Sequence, residues 1–268
     1  MNKMPFFPGF LNAACARPFK GDYVLLKAET ANYTLIGITI TDEVTVRSTY
    51  LGQPHEENYP AGTTSISFNA DADTDIMVIG GLSEIYSSNG NAPKTITVSS
   101  GVLTRLLFYS MGGNNTTTTS VVILHAETLN EVKFDMFKNL EMSLAELPSV
   151  TKFTLVSSNR AKSVNLSNSP LLNSCTISSC LALETINLAK SAAMHYVSAT
   201  PFEIMNCIAI KEIYFRATDS SYSTQIATLI TNADAADGVV YLNSDDAYYQ
   251  TVADAATAKG WTIEALPV

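Results

Sequence analysis

The sequence predicts a mainly β protein: a parallel β-solenoid with a small antiparallel β cap at its N-terminal end and a βαβαβ cap at its C-terminal end. Three observations predict this class. Short apolar-x-apolar triplets recur every 10 or 11 residues through the middle of the chain, the rhythm is absent before residue 60, and an alternating strand and helix pattern replaces it after Phe215. Self-similarity at a short fixed spacing is typical of repeat architectures.

The composition is consistent with this class and excludes some classes of binding partner. Of the 268 residues, 46% are hydrophobic, which is enough for a continuous core, and only 15% are charged, well below the usual fraction of about a quarter. The net charge of -9 argues against nucleic acid or an anionic membrane as partner and favours a protein or a carbohydrate. Because no segment approaches the roughly 20 apolar residues of a membrane span, we expect no membrane insertion.

Residues 1–20 are predicted to be an N-terminal arm. Its segment Pro5-Phe-Phe-Pro-Gly-Phe10 places three aromatic side chains on an extended backbone, and its prolines and glycine interrupt the apolar stretch that a secretory signal would need. The arm either docks on a partner or folds back on its own cap. Phe6, Phe7 and Phe10 are therefore the candidate partner-binding residues.

Residues 21–60 do not follow the triplet spacing and are predicted to form the antiparallel cap. The strands expected are Tyr23–Ala28, Tyr33–Ile40 and Val44–Tyr50, with Thr41-Asp-Glu43 as a tight connection between the last two. Such strands would cover an open edge of the solenoid, which would otherwise be prone to aggregate.

Residues 61–215 carry the repeats and are predicted to form the solenoid. Six triplets keep near-constant spacing: Val132–Phe134, Met142–Leu144, Phe153–Leu155, Val164–Leu166, Cys175–Ile177 and Ile186–Leu188. Most follow a small or apolar residue three positions earlier, which gives the frame L-x-x-L-x-L. Five upstream triplets continue the series: Ile66–Phe68, Ile76–Val78, Ile96–Val98, Leu106–Phe108 and Val121–Ile123.

Strand alternation turns the first and third side chains of each triplet inward and the middle one outward. Burial of an aliphatic side chain contributes roughly 1.5–3 kcal/mol, whereas ordering the backbone costs about 1–2 kcal/mol per residue. A single coil is therefore unstable alone, and only stacked coils with continuous inner ladders are expected to fold. The polar insert 112–119 is expected to loop out of the stack.

Residues 216–268 are predicted to be an α/β cap. The expected elements are a helix from Ser220 to Asn232, a strand from Gly238 to Leu242, a helix from Asp245 to Lys259 capped by Ser244 and ended by Gly260, and a strand from Trp261 to Ala265. Right-handed crossovers would pair these strands in parallel, so that they extend the sheet and close its C-terminal end.

The sequence offers no convincing catalytic, cofactor or metal residues. His55, His125 and His195 are isolated, and no nucleophile elbow, phosphate loop or His-Glu-x-x-His motif occurs. The four cysteines, Cys15, Cys175, Cys180 and Cys207, lack zinc spacing and are interpreted as reduced. We expect no cofactor and no enzymatic activity; a polysaccharide-cleaving solenoid would need clustered carboxylates on one face.

One acidic segment is the best chelation candidate. Asp71, Asp73 and Asp75 alternate oxygen ligands as a calcium loop does, but Ile76 stands where that loop has glycine and Leu82 where it has the closing glutamate. A solvated turn is favoured, and cation binding stays open.

Residues Ser163–Leu188 resemble the irregular, nested leucine-rich repeats of bacterial surface proteins, whose unit of 21 to 23 residues splits into two similar halves. The resemblance covers about residues 60–215. Cys180 is the best match to the asparagine or cysteine ladder position, which Ser or Ala occupies elsewhere, so a plain β-solenoid is also open. The C-terminal segment resembles terminal segments of proteins encoded by bacteriophages of gut bacteria.

Together with the aromatic arm and the lack of a convincing secretory signal, the likeness of the C-terminal segment implies a non-enzymatic structural protein of a tailed-phage particle, such as a fibre, decoration or adaptor subunit. Such a protein would be made in the host cytoplasm, reside in the virion, and bind other structural proteins and further copies of itself. The alternative is a bacterial surface adhesin or glycan-binding leucine-rich-repeat module, which would contact a host-surface glycan or protein.

Overall fold

The computed structural model describes residues 22–27, 33–36, 38–87, 93–109, 117–144, 147–189 and 202–267. Within these residues the chain is mainly β, and most of its strand pairs are parallel. The N-terminal strands are β1 (Tyr23–Lys27), β2 (Tyr33–Ile36), β3 (Ile38–Tyr50), β4 (Gln53–Tyr59), β5 (Ser65–Phe68) and β6 (Asp75–Ser87).

Further along the chain the strands are shorter and more regular. They are β7 (Thr95–Ser99), β8 (Arg105–Tyr109), β9 (Ser120–His125), β10 (Glu131–Asp135), β11 (Glu141–Leu144), β12 (Lys152–Val156), β13 (Ser163–Asn165), β14 (Ser174–Ser178), β15 (Thr185–Asn187), β16 (Phe202–Met205) and β17 (Glu212–Tyr214). The C-terminal elements are α1 (Ser220–Asn232), β18 (Val239–Leu242), α2 (Tyr249–Lys259) and β19 (Thr262–Ala265).

The repeated triplets form two rows of parallel strands. Strands β6, β8, β10, β12, β14 and β16 make the first row; β7, β9 and β11 begin the second, and β13, β15, β17, β18 and β19 continue it, with β13 lying beside β11. From β6 to β17, successive strands alternate between the rows. Each of these strands therefore lies beside the next but one, and one full coil contains two triplets, as the pairing of Glu131 with Lys152 shows.

The six central triplets are confirmed as strand segments. Their first and third residues are buried in five of them, and Met142 and Leu144 of the sixth pack against the same core. The apolar residues that precede them, such as Leu129, Val150 and Leu172, are fully buried as well. A single hydrophobic cluster continues from Val24 to Trp261.

A left-handed residue ends the first-row strands β10, β12, β14 and β16. Met136, Ser157, Ser179 and Asn206 all have φ between 54° and 65°, and the residue after each of them is buried. The N–H of Ser157 donates to the Ser178 carbonyl at 2.9 Å, and that of Ser179 donates to the Met205 carbonyl at 3.1 Å. The turns therefore continue the hydrogen-bond ladder past the strand ends.

The N-terminal strands pair antiparallel, as predicted, but with different boundaries. The prediction of a tight connection at Thr41–Glu43 is wrong, because these residues form a bulge inside β3: the register jumps from Ile40 opposite Leu82 to Val44 opposite Gly80. Glycines on β6 make this close approach possible. A Cβ atom on Gly81 would lie only 2.6 Å from the Asp42 backbone nitrogen.

Two upstream triplets differ from the rest of the series. Ile66–Phe68 belongs to β5, which pairs antiparallel with β2, and Ile76–Val78 pairs antiparallel with β1 and β3. The parallel pairing begins at Glu84, in the second half of β6. Strand β1 lies between β6 and β7 and thereby joins the two rows at the N-terminal end.

The C-terminal elements match the prediction closely. Helix α1 has the predicted bounds, and Asp219 accepts hydrogen bonds from the first-turn amides. Gly260 ends α2 with φ of 84°, and β18 and β19 extend the second row in parallel. The predicted Ser244 cap is wrong, because α2 begins at Tyr249. Neither helix of the described residues is long and apolar enough to span a bilayer.

Candidate functional site

The predicted arm residues Phe6, Phe7 and Phe10 lie outside the described residues. The candidates that the structure does describe are the acidic segment, His55 and His125, the cysteines Cys175, Cys180 and Cys207, and the surfaces of the two rows; His195 and Cys15 lie outside the described residues. No group of three His, Cys, Asp or Glu side chains among the described residues is arranged to hold a metal ion.

The three aspartates of the acidic segment have separate structural roles. Asp71 accepts the backbone N–H groups of Leu51 and Gly52, each at 2.8 Å, and so fixes the hairpin turn between β3 and β4. Asp73 forms an ion pair with Lys94, which lowers the pKa of that carboxyl. Burial raises the pKa of Asp75. The three carboxylates therefore do not act as one ligand set here.

Strand β4, which the sequence analysis missed, carries three hydrogen-bonded side chains on one face: His55, Glu57 and Tyr59. His55 Nε2 lies 2.6 Å from Glu57 Oε1, and the Tyr59 hydroxyl donates to the other oxygen of the same carboxylate. These hydrogen bonds, first that from Tyr59, lower the pKa of Glu57. These three side chains belong to an exposed hairpin. The sequence did not predict β4 because neither of its faces is apolar, so the usual alternation of apolar and polar residues is absent.

The described cysteines are free thiols in the core. Burial raises the pKa of Cys175 to about 12, so the thiol stays protonated and unreactive. The Cys180 thiol lies 3.4 Å from the Ser178 carbonyl oxygen, and Cys207 makes the corresponding contact with Met205 one coil later. Cys180 and Cys207 thus occupy equivalent positions in successive coils, each directly after a left-handed residue.

The outer face of the first row carries what we call the tyrosine surface: Tyr86, Tyr109, Arg105, Lys133 and Glu131. The two tyrosine rings lie 5.2 Å apart between centroids, and the Lys133 ammonium lies 4.2 Å from the centre of the Tyr109 ring. Arg105 Nε donates to Glu131 Oε2 at 3.0 Å. Tyr86 is 40% exposed, so the surface presents an aromatic ring beside fixed charged groups.

A second pair of tyrosines lies on the outer face of the second row. The rings of Tyr214 and Tyr241 are 4.1 Å apart and parallel within 3°. The Tyr214 hydroxyl donates to Glu212 at 2.7 Å, and this hydrogen bond is the main reason that the pKa of Tyr214 is raised. Both tyrosines occupy the middle, outward position of their apolar-x-apolar triplets, which is the signal that sequence analysis could have used.

A pocket of about 500 Å³, here called the end pocket, lies at the carboxyl ends of the last second-row strands. It is lined by Ala189, Arg216, Leu242, Asn243, Ser244, Tyr249, Ile263, Glu264, Ala265, Leu266 and Pro267. Its charged wall is fixed: Arg216 holds the buried Asp246 carboxylate through Nε and Nη2, and the Ala217 N–H donates to the same carboxylate at 2.8 Å. This use of Asp246 explains why α2 begins later than predicted.

Comparisons of the chain with protein-family models, with curated proteins and with solved structures found no match.

Proposed function

We propose that the chain is a non-enzymatic structural and binding protein whose two-row body is a nested leucine-rich-repeat-like β-solenoid. In this proposal β1 to β5 form the N-terminal cap, and the elements after Phe215 form the C-terminal cap. The observation that carries the proposal is the alternation of strands between two rows over one unbroken core. Such a body is stiff along its length because each coil packs on both neighbours.

The leading function is that of a subunit of a phage particle, as a fibre, decoration or adaptor protein located in the virion. The repetitive body would act as spacer or binding wall, and the arm with Phe6, Phe7 and Phe10 would engage other structural proteins or further copies. Support comes from the aromatic arm and from the resemblance of the C-terminal segment to terminal segments of proteins of gut bacteriophages.

The alternative, a bacterial surface adhesin or glycan-binding module, is favoured by the tyrosine surface. An exposed ring such as Tyr86 can pack against the apolar face of a sugar, while neighbouring charged groups such as Arg105 and Glu131 can hydrogen-bond its hydroxyls. A host-surface glycan would then be the partner.

The N-terminus of the natural product separates these two functions. Mass spectrometry of the protein isolated from its source should find the N-terminal peptide with Met1 intact and the protein in purified particles. Cleavage near Ala16, with the protein on the cell surface, would contradict the particle assignment.

Glycan binding has its own test, because the tyrosine surface can be changed without touching the core. If the body acts only as a spacer, the wild-type chain should show no selective binding on a glycan array. Binding that Tyr86→Ala abolishes and Tyr248→Ala preserves would favour the adhesin, since Tyr248 is similarly exposed but lies at the other end of the molecule.

A further inference from the structure

We propose that the arm of one copy docks in the end pocket of a second copy, so that copies join head to tail. The inference rests on the proposed structural function and specifies its self-association. The occupant is the segment 1–21, whose aromatic side chains Phe6, Phe7 and Phe10 would each bury about 150–250 Å² on docking.

The end pocket has the size and lining for such an occupant. Its volume of about 500 Å³ lies within the range of roughly 300–1,000 Å³ found for pockets that enclose a ligand. Leu242, Ile263, Leu266 and Pro267 give it an apolar lining, and Tyr249 adds an aromatic ring. Proline at two positions of the arm limits the entropy lost when an extended segment binds.

The ends of the molecule are placed for this contact. Asp22, where the described chain begins, precedes Tyr23, which pairs with Ser99 at the carboxyl end of β7. The arm therefore leaves the body at the carboxyl-end side of the parallel strands. The end pocket lies on the same side, at the opposite end of the second row. When two copies stack end to end, the arm of one emerges beside the pocket of the other.

Charge favours the same contact. Residues 1–21 contain Lys3, Arg17 and Lys20 and no acidic residue, although the whole chain has a net charge of -9. Residues 216–268 contain seven acidic residues and two basic ones. The positive arm is therefore attracted to the acidic C-terminal end of another copy, which favours a head-to-tail arrangement.

The last strand offers a further contact. Among the described residues β19 pairs only with β18, so its outer edge can accept an extended segment by strand addition. Docking of the arm in its own pocket would require it to run beside the second row for eight strand spacings of about 4.8 Å. That path is about 38 Å. A fully stretched chain from Phe6 to Asp22 could span it, at about 55 Å at most, but the r.m.s. span of a flexible segment of this length is only about 22 Å. A stacked neighbour places its pocket beside the arm without that extension, so we assign the neighbour's pocket.

The test uses complementary variants of the full chain. Two arm variants remove the aromatic contacts: the first lacks residues 1–18, and the second carries Phe6→Ser, Phe7→Ser and Phe10→Ser together. A pocket variant carries Ala265→Trp, which fills the pocket from an exposed position; Thr262→Trp, exposed on the same strand but outside the pocket, is its control. Circular dichroism and melting establish that each variant is folded, and sedimentation velocity measures association.

Wild type and Thr262→Trp should form a series of elongated oligomers whose mass rises with concentration and falls as ionic strength rises from about 0.05 M to about 0.5 M. Each arm variant alone, and Ala265→Trp alone, should be monomeric. An equimolar mixture of an arm variant with Ala265→Trp should yield a species of two chains and no larger one, because only one arm and one pocket remain intact. The proposal is overturned if Ala265→Trp assembles like wild type, if wild type is monomeric at all concentrations, or if the serine variant unfolds. Whether the protein is part of a purified particle is a separate measurement. The docking proposal can therefore fail while the proposed function stands.

Discussion

The N-terminal strands and the repeats contain similar β-forming side chains but follow different rules. In the repeats, each strand is three to six residues long and every coil repeats the same inner pair, so the position of a side chain follows from its place in the triplet. In residues 38–87, two strands of 13 residues cross the end of the molecule, and bulges and glycines decide which side chain faces the core. Regular packing results from repetition in one region and from individual backbone contacts in the other.

The largest expected effect is on the repeats. Leu166→Asp places a carboxylate in the inner ladder next to Leu188 and should cost several kcal/mol of a total stability of about 5–15 kcal/mol, so that the whole chain fails to fold. The neighbouring Asn165 is exposed and accepts a hydrogen bond from the Ser167 N–H, a role that Asp can keep. Asn165→Asp should therefore melt like wild type. A soluble Leu166→Asp chain with a cooperative melting transition would contradict the ladder.

An intermediate effect is expected at the bulge of the N-terminal region. A Cβ atom on Gly80 would overlap the carbonyl oxygen of Glu43, whereas one on Gly62 meets nothing within 4 Å, although both glycines have positive φ. Gly80→Ala should therefore lower the free energy of unfolding by about 1–3 kcal/mol more than Gly62→Ala does. Denaturant titration measures the difference. Equal effects would mean that the bulge does not press against β6.

The sequence predicted the repeats better than the N-terminal region for a physical reason. A triplet such as Val164–Leu166 reports burial directly, because strand alternation fixes which side chains point inward. It does not report which strand is its neighbour, so Ile66–Phe68 and Ile76–Val78 joined the series although they pair antiparallel.

Longer-range contacts account for the remaining differences. The bulge at Thr41–Glu43 depends on glycines that lie about 40 residues further along the chain. The start of α2 depends on the ion pair between Asp246 and Arg216, and the end pocket depends on four strand ends meeting. None of these contacts has a local sequence signal. The pair formed by Tyr214 and Tyr241 did have a local sequence signal, because both residues occupy the outward position of a triplet.

The smallest expected effect concerns the left-handed turns. Met136 has φ of 65° and its side chain is 43% exposed, so its backbone is strained without much compensating burial. Met136→Gly should raise the free energy of unfolding by about 0.5–1 kcal/mol, whereas Asn206→Gly should raise it less, because asparagine tolerates this conformation. Chemical denaturation of the two variants gives the comparison. A loss of stability in Met136→Gly would contradict the strained turn.

The alternation of strands between two rows is tested most directly by removing whole and half coils. Deleting residues 152–173 removes one strand from each row and joins Thr151 to Ser174. Ser174 can then donate to the Asn130 carbonyl as Lys152 does, and β14 and β15 replace β12 and β13. Deleting residues 152–162 removes a first-row strand alone and moves every later strand into the other row. Circular dichroism with thermal melting should show a folded, cooperatively melting protein for the 22-residue deletion and an unfolded or aggregated one for the 11-residue deletion. The same outcome for both deletions would contradict the two-row coil.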